Sequence, residues 1–168
     1  MPSAFSDPQP TAAVGETLVP AALLRLPFVQ TVRRGLERAG ASKKILAAVS
    51  GGPDSSAMLV ALWALREPLG LELFVCSIDH GLRSESLCEA QTVCAVAQRL
   101  GLSAEIVRVT VPKSASKMSA ARTARYQALG EVCAARGIST IAVAHTRNDQ
   151  SETLLQRFLG GAGLRGLS

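Results

Sequence analysis

The stretch "ILAAVSGGPDSSAMLVAL", Ile45 to Leu62, decides the fold. Its continuous apolar start reads as a strand buried on both faces. Its continuation, "DSSAMLVALWALRE", reads as a helix with Met58, Leu62 and Leu65 on one side. Between strand and helix stand Ser50, Gly51, Gly52 and Pro53. The two glycines let the backbone turn sharply and come close to an anion. The helix that follows offers unpaired amides and the positive end of its dipole. Pro53 loses little in a first turn, and Ser50, Ser55 and Ser56 add hydroxyls. Neither Gly-Lys-Ser/Thr nor Gly-x-Gly-x-x-Gly follows this strand, so two common nucleotide loops are excluded.

Asp54 is a puzzle at the mouth of such a loop, because a carboxylate repels phosphate. One reading makes it a helix-start carboxylate, stabilised by the dipole. The other places Mg²⁺ between Asp54 and the phosphates, since this hard cation binds through one or two carboxylates plus phosphate oxygens. The second reading requires another acid nearby. Asp149, in "AHTRNDQSET", is the candidate if the first and fourth strands are neighbours. Glu152 reads as a cap or as surface.

Outward from this stretch the same rhythm repeats. "AALLRLPFVQTVRRGLERAG" reads as a short helix broken or started at Pro27 and ended near Gly40. "LELFVCSID", "SAEIVRVTV" and "TIAVAHT" read as strands. Helices are expected over about Ser84–Leu100 and Lys117–Arg136, and in "DQSETLLQRFL". Apolar strands alternating with helices of this length predict an α/β fold, a doubly wound parallel sheet with helices on both faces. Ligands in such sheets sit beyond the carboxyl ends of the strands, at the order reversal. The loops to inspect are therefore 50–55, 79–83, 111–117 and 145–149, where polar residues collect. Residues 1–20 hold four prolines and little periodicity and are expected to be a flexible tail, with 21–168 a single domain.

A chain of 168 residues with 48% hydrophobic and 18% charged residues can bury a core, which excludes wholesale disorder. No apolar run has the length to cross a bilayer, and the N-terminus lacks a secretory pattern, so the expected location is cytoplasmic. Cys76, Cys88, Cys94 and Cys133 form no Cys-x-x-Cys pair and His80 and His145 stand apart, which excludes a zinc or iron–sulfur spacing. The net charge of +5 is uneven. Residues 113–136 carry five basic residues and one acid, whereas 71–112 carry three and five.

"SGGPDS" resembles the pyrophosphate-binding loop of the PP-loop ATP-pyrophosphatases. "DHGLRSES" at 79–86, "ARTARY" at 121–126 and "AHTRNDQSETLLQRFLGGAGLRGL" at 144–167 narrow the likeness to the tRNA(Ile)-lysidine synthetases. The resemblance runs from about Ile45 onward and implies an adenine nucleotide alpha hydrolase-like fold. It implies a ligase that adenylates the C2 carbonyl of the wobble cytidine in a tRNA(Ile) with a CAU anticodon. Free L-lysine then displaces AMP, with ATP and Mg²⁺ as the implied cofactors. Ser50, Gly51, Gly52, Pro53, Asp54, Ser55 and Ser56 would form the ATP site, with the metal on Asp54 and Asp149. Asp79, His80, Gly81 and Arg83 would line the nucleotide or lysine pocket. Arg122, and Arg125 beside it, would meet phosphate, and His145 and Asp149 would complete the cleft.

At 100° per residue, Arg122 and Arg125 share a face with Met118, Leu129 and Val132, and an inward arginine requires an anion. The alternative is that both snorkel to solvent. His145 fits a general base on the lysine amine and fits a structural hydrogen-bonding group equally well. Two departures stand out: Asn148 occupies a place where the family usually has an acid, and Gly160 one where it usually has arginine. The family also continues beyond this length, so a separate C-terminal tRNA-binding part is expected. Two other readings remain, an ATP-binding module needing a partner and another PP-loop tRNA-modifying enzyme.

Overall fold

A computed structural model of the chain describes residue 19 and residues 21–79, 85–109, 117–147 and 150–157. For residues 85, 117–121, 145–147 and 150–157 the description covers the backbone. The elements are α1 (Ala21–Leu24), α2 (Pro27–Arg38), β1 (Lys44–Ala48), α3 (Pro53–Leu69) and β2 (Glu72–Asp79). They continue with α4 (Glu85–Arg99), β3 (Ser103–Arg108), α5 (Lys117–Arg136), β4 (Thr140–Arg147) and β5 (Gln150–Arg157).

The sheet order is β3-β2-β1-β4-β5. β1 pairs in parallel with both β2 and β4, and β2 with β3. The chain leaves β1 toward β2 and β3, then returns through α5 to β4 on the other side. The order therefore reverses at β1, which puts the ligand crevice of a doubly wound sheet at the carboxyl ends of β1 and β4. The condition set for Asp149, that the first and fourth strands are neighbours, is met.

Each face of the sheet has its own core. On one, Ile45, Ala47, Leu73 and Val75 pack with Val29, Val32 and Leu36 of α2, Met58, Leu62 and Leu65 of α3, and Val93 and Ala97 of α4. On the other, Leu46, Phe74, Cys76 and Ile141 pack with Tyr126, Leu129 and Cys133 of α5. This alternation along β1 and β2 is the period-two geometry of a strand covered on both sides. α3 is apolar almost all round because α1 and α2 pack on it from one side and β2 and β4 from the other. The Trp63 indole donates to the Leu100 carbonyl at 3.0 Å and ties α3 to the end of α4.

One element differs from the sequence expectation. "DQSETLLQRFL" was expected to be helical, but Gln150–Arg157 is β5, antiparallel to β4 from Thr140↔Arg157 to Arg147↔Gln150. The parallel sheet therefore carries an antiparallel edge strand. The physical reason lies outside the segment. Without β5 the edge of β4 would present a row of unpaired backbone groups, and a segment returning after a two-residue connection satisfies them. An apolar pattern as short as Leu154, Leu155 and Phe158 does not choose between helix and strand by itself.

Candidate functional site

The turn between β1 and α3 is built by its own side chains. Ser55, 5% exposed, donates its hydroxyl to the Gly52 carbonyl at 3.0 Å. The same oxygen accepts from the Ser50 amide at 3.2 Å and lies 3.1 Å from Ser50 Oγ. Ser55 thus spends its hydroxyl on closing the loop, and Ser50 is the exposed hydroxyl at the mouth. The helical ladder starts at Ser56 N to Gly52 O, 3.0 Å, so the amides ahead of it in the turn lie outside the ladder.

The glycines serve different ends. Gly51 has φ +88°, a conformation that an L side chain adopts only under strain. Gly52, at φ −70° and ψ 163°, suits any residue. A Cβ there would meet Ser50 Oγ at an ordinary 3.7 Å and would occupy space that is otherwise open over the loop. Glycine at this position keeps a cradle open, which fits the close approach of a phosphate.

A cavity of about 440 Å³ opens on this loop at the carboxyl edge of the sheet. Its floor is the ends of β1 (Ala48, Val49), β2 (Cys76, Ser77, Ile78) and β4 (Val143, Ala144). Ser50, Gly51, Gly52 and Ser55 form one wall, Ser86 and Glu89 of α4 another, and Arg125 of α5 a third. The cavity has the size of a small-molecule site. Burial pushes the Cys76 thiol up to about 12, with Glu105 adding to the effect, so the floor thiol stays protonated.

Several expected site residues fall elsewhere. Asp54 is half-buried in the first turn of α3, beside the loop rather than in the cavity lining. Asp79 is 1% exposed and clamps three elements. Its carboxylate accepts from Ser86 Oγ at 2.6 Å and from Arg108 Nε at 3.1 Å, and its carbonyl accepts from the Val109 amide at 2.9 Å. Arg125 reaches the cavity, whereas Arg122 is exposed with its guanidinium 5.7 Å from the centre of the Tyr126 ring. His145 lies on β4 opposite Glu152, as a backbone position. His80, Gly81, Arg83 and Asp149 lie outside the described residues. Among the described residues, no three acidic, histidine or cysteine side chains gather as a metal centre. Asp54 and, across the cavity wall, Glu89 are the described carboxylates near the loop, and a Mg²⁺ held with phosphate oxygens fits such a sparse oxygen donor set.

Sequence reasoning gives Ser86 no role beyond ending "DHGLRSES" and misses Glu89. They lie three apart on the first turns of α4, so they share a face, and that face meets the loop: a Cβ on Gly51 would sit 3.6 Å from Glu89 Cβ. Their spacing was the available signal, but only the packing of α4 on β1 and β2 gives it a direction. Among the described residues no helix is long and apolar enough to cross a membrane.

Comparison with known proteins places this geometry. The chain is 42% identical over 129 residues to the tRNA(Ile)-lysidine synthase of Methylobacterium nodulans, covering 76% of this chain and 38% of that protein. It is 39% identical over 150 residues to that of Thermobifida fusca, covering 89% and 45%. The chain thus spans less than half the length of these relatives. Among solved structures, the U34-tRNA thiolase NcsA from Methanococcus maripaludis, with its [4Fe-4S] cluster, shares the fold at TM-score 0.59 and 20% identity. The match covers 72% of this chain and 45% of that one. The family model for the PP-loop domain matches residues 27–168, which takes in the loop, the cavity and every strand, and the chain belongs to that family.

Proposed function

We propose that this chain carries the adenylation chemistry of lysidine formation on a tRNA(Ile) with a CAU anticodon. The observation that supports it most is the cavity bounded by the Ser50–Ser55 loop, with an open glycine at its mouth and Arg125 on its wall. The names of the relatives supply the substrate class.

In this reading the loop amides and Ser50 hold the terminal phosphates of ATP, while Ser55 holds the loop. The C2 carbonyl oxygen of the cytidine attacks the α-phosphorus, and pyrophosphate leaves. The side-chain amine of lysine then attacks C2, AMP leaves, and the amine loses its proton. Arg125 and Arg122 stabilise negative charge on the departing pyrophosphate, the kind of contribution that typically amounts to about 3–4 kcal/mol of barrier. His145 accepts the amine proton. Asp54 and Asp149 would hold Mg²⁺, which when bound neutralises phosphate charge. The Asp79–Ser86–Arg108 clamp fixes the start of α4, and with it Glu89, against the loop. His80 and Arg83 follow β2 toward the nucleotide or lysine.

The test is incorporation of radiolabelled lysine into a CAU-anticodon transcript with ATP, with and without the C-terminal part of a relative. Incorporation that disappears in Asp54→Ala supports the ligase. ATP binding without incorporation in either condition rejects it in favour of a nucleotide-binding module.

A further inference from the structure

We infer that the exposed face of α2, with the turn joining it to β1, binds the phosphate backbone of a structured RNA. Residues 25–44 hold Arg25, Arg33, Arg34, Arg38, Lys43 and Lys44 against a single acid, Glu37. The rest of the chain has twelve basic and twelve acidic residues, so the whole net charge of +5 resides in this segment. All six basic side chains are exposed. Arg33, Arg34 and Arg38 are held outward because Val29, Val32 and Leu36 commit the opposite face of α2 to the core.

Three of these cations have a local use. Arg33 pairs with Glu37 at 3.0 Å, Lys44 with Glu72 at 3.4 Å, and Lys43 donates to the Leu69 carbonyl. Arg34 and Arg38 are different. They stand one turn apart along a shallow groove shared with Thr31 and Glu37. Their hydrogen bonds go to neutral acceptors, Thr31 Oγ1 at 3.3 Å and the Arg34 carbonyl at 3.4 Å. Arg38, in the last turn, is favoured by the helix dipole, but the repulsion between like charges at this spacing is a cost to α2. A bound polyanion would compensate it.

The partner's chemistry follows from the layout. Cations spread along a helix of about 18 Å and the following turn suit an extended chain of phosphates rather than one small anion. Arginine forks favour phosphate oxygens. A membrane surface is the poorer partner, because an interfacial helix inserts its apolar face and that of α2 is already buried. The choice of RNA among polyanions rests on the proposed function. α2 ends where β1 starts, at the edge of the sheet opposite the cavity. Strands of five to eight residues put roughly 17–26 Å between the two edges. The surface therefore holds RNA by a part remote from the reacting base and acts on affinity.

The test measures binding of an unmodified tRNA transcript at several salt concentrations by fluorescence anisotropy. The proteins are the chain, its Arg34→Gln/Arg38→Gln variant, and Arg99→Gln, an exposed cation on the last turn of α4. Calorimetry with Mg·ATP is run on each. The double variant is expected to bind about tenfold more weakly, with a salt slope smaller by about two, one per lost contact. Its ATP affinity is expected to be unchanged, and Arg99→Gln to leave RNA binding within about twofold of the parent. An unchanged salt slope overturns the inference, as does an Arg99→Gln effect equal to that of the double variant, or loss of ATP affinity in the double variant. Tighter binding of the chain to phosphatidylserine vesicles than to RNA overturns it too. If ATP binding is flat in every protein while RNA binding responds as expected, the proposed function fails and this surface stands.

Discussion

Replacing Ser55 by alanine tests the loop at its pivot. The hydroxyl makes contacts at 3.0, 3.1 and 3.2 Å and is nearly inaccessible. In the variant the Gly52 carbonyl still accepts from Ser56 N, so the main loss falls on the Ser50 amide. One net hydrogen bond contributes about 1 kcal/mol, and a buried donor left unpaired adds about 1–3 kcal/mol. Ser50 is exposed, so water recovers part of this, and the expected cost is about 1–2 kcal/mol. For a chain of this size the midpoint falls by about 2–8 °C. The loop must then be ordered by the ligand, which weakens ATP binding by about 5–30-fold. Thermal unfolding and calorimetry read the two quantities, and in the melt alone Ser56→Ala serves as a control expected within about 0.5 kcal/mol. A Ser55→Ala chain that melts with the parent and binds ATP equally refutes the reasoning.

Gly51→Ala forces a side chain to φ +88° and is expected to cost about 1–3 kcal/mol, read from the urea midpoint; a loss below about 0.5 kcal/mol contradicts the strain. Arg125→Gln is expected to weaken ATP binding by about tenfold or more and Arg122→Gln by less, since only the former lines the cavity; the reverse order in calorimetry contradicts this placement. Burial holds the Cys76 and Cys133 thiols up at about 12 and about 11, above their ordinary 9.0. Between the ordinary and raised values the folded state binds more protons than the unfolded chain, so stability falls as pH rises past 9. Each thiol contributes about 1 kcal/mol of that loss at pH 10, and Cys76→Ala should show a smaller drop in urea midpoint between pH 8 and pH 10.

Much of the scaffold is legible in the sequence because burial on both faces leaves a local mark. The apolar run at Ile45 and the glycine loop after it announce β1, the turn and α3, and α5 matches its expected bounds of Lys117–Arg136. What is not legible depends on partners distant in sequence. β5 forms on an edge that β4 leaves open, and no local pattern in "SETLLQR" encodes that edge. Glu89 enters the cavity wall because α4 packs beside Gly51, and Asp79 is buried because β3 delivers Arg108 to it. Helical periodicity placed Arg122 and Arg125 on one face, but the packing of α5 turns only Arg125 into the cavity. The hydroxyls of the loop are legible in the sequence, but their division of labour, in which Ser55 builds and Ser50 presents, depends on the folded turn.

The most direct measurement is a calorimetric titration of ATP into the chain and into Asp54→Ala, each with Mg²⁺ and with EDTA. In the proposed reading a cation stands between the Asp54 carboxylate and the phosphates, whereas a carboxylate that only serves the helix start would make ATP binding indifferent to the metal. With Mg²⁺ the variant should therefore bind about tenfold more weakly or worse, and with EDTA it should bind as well as the parent or better. A flat titration of the parent with Mg²⁺, or equal affinities for both proteins in that condition, contradicts the account.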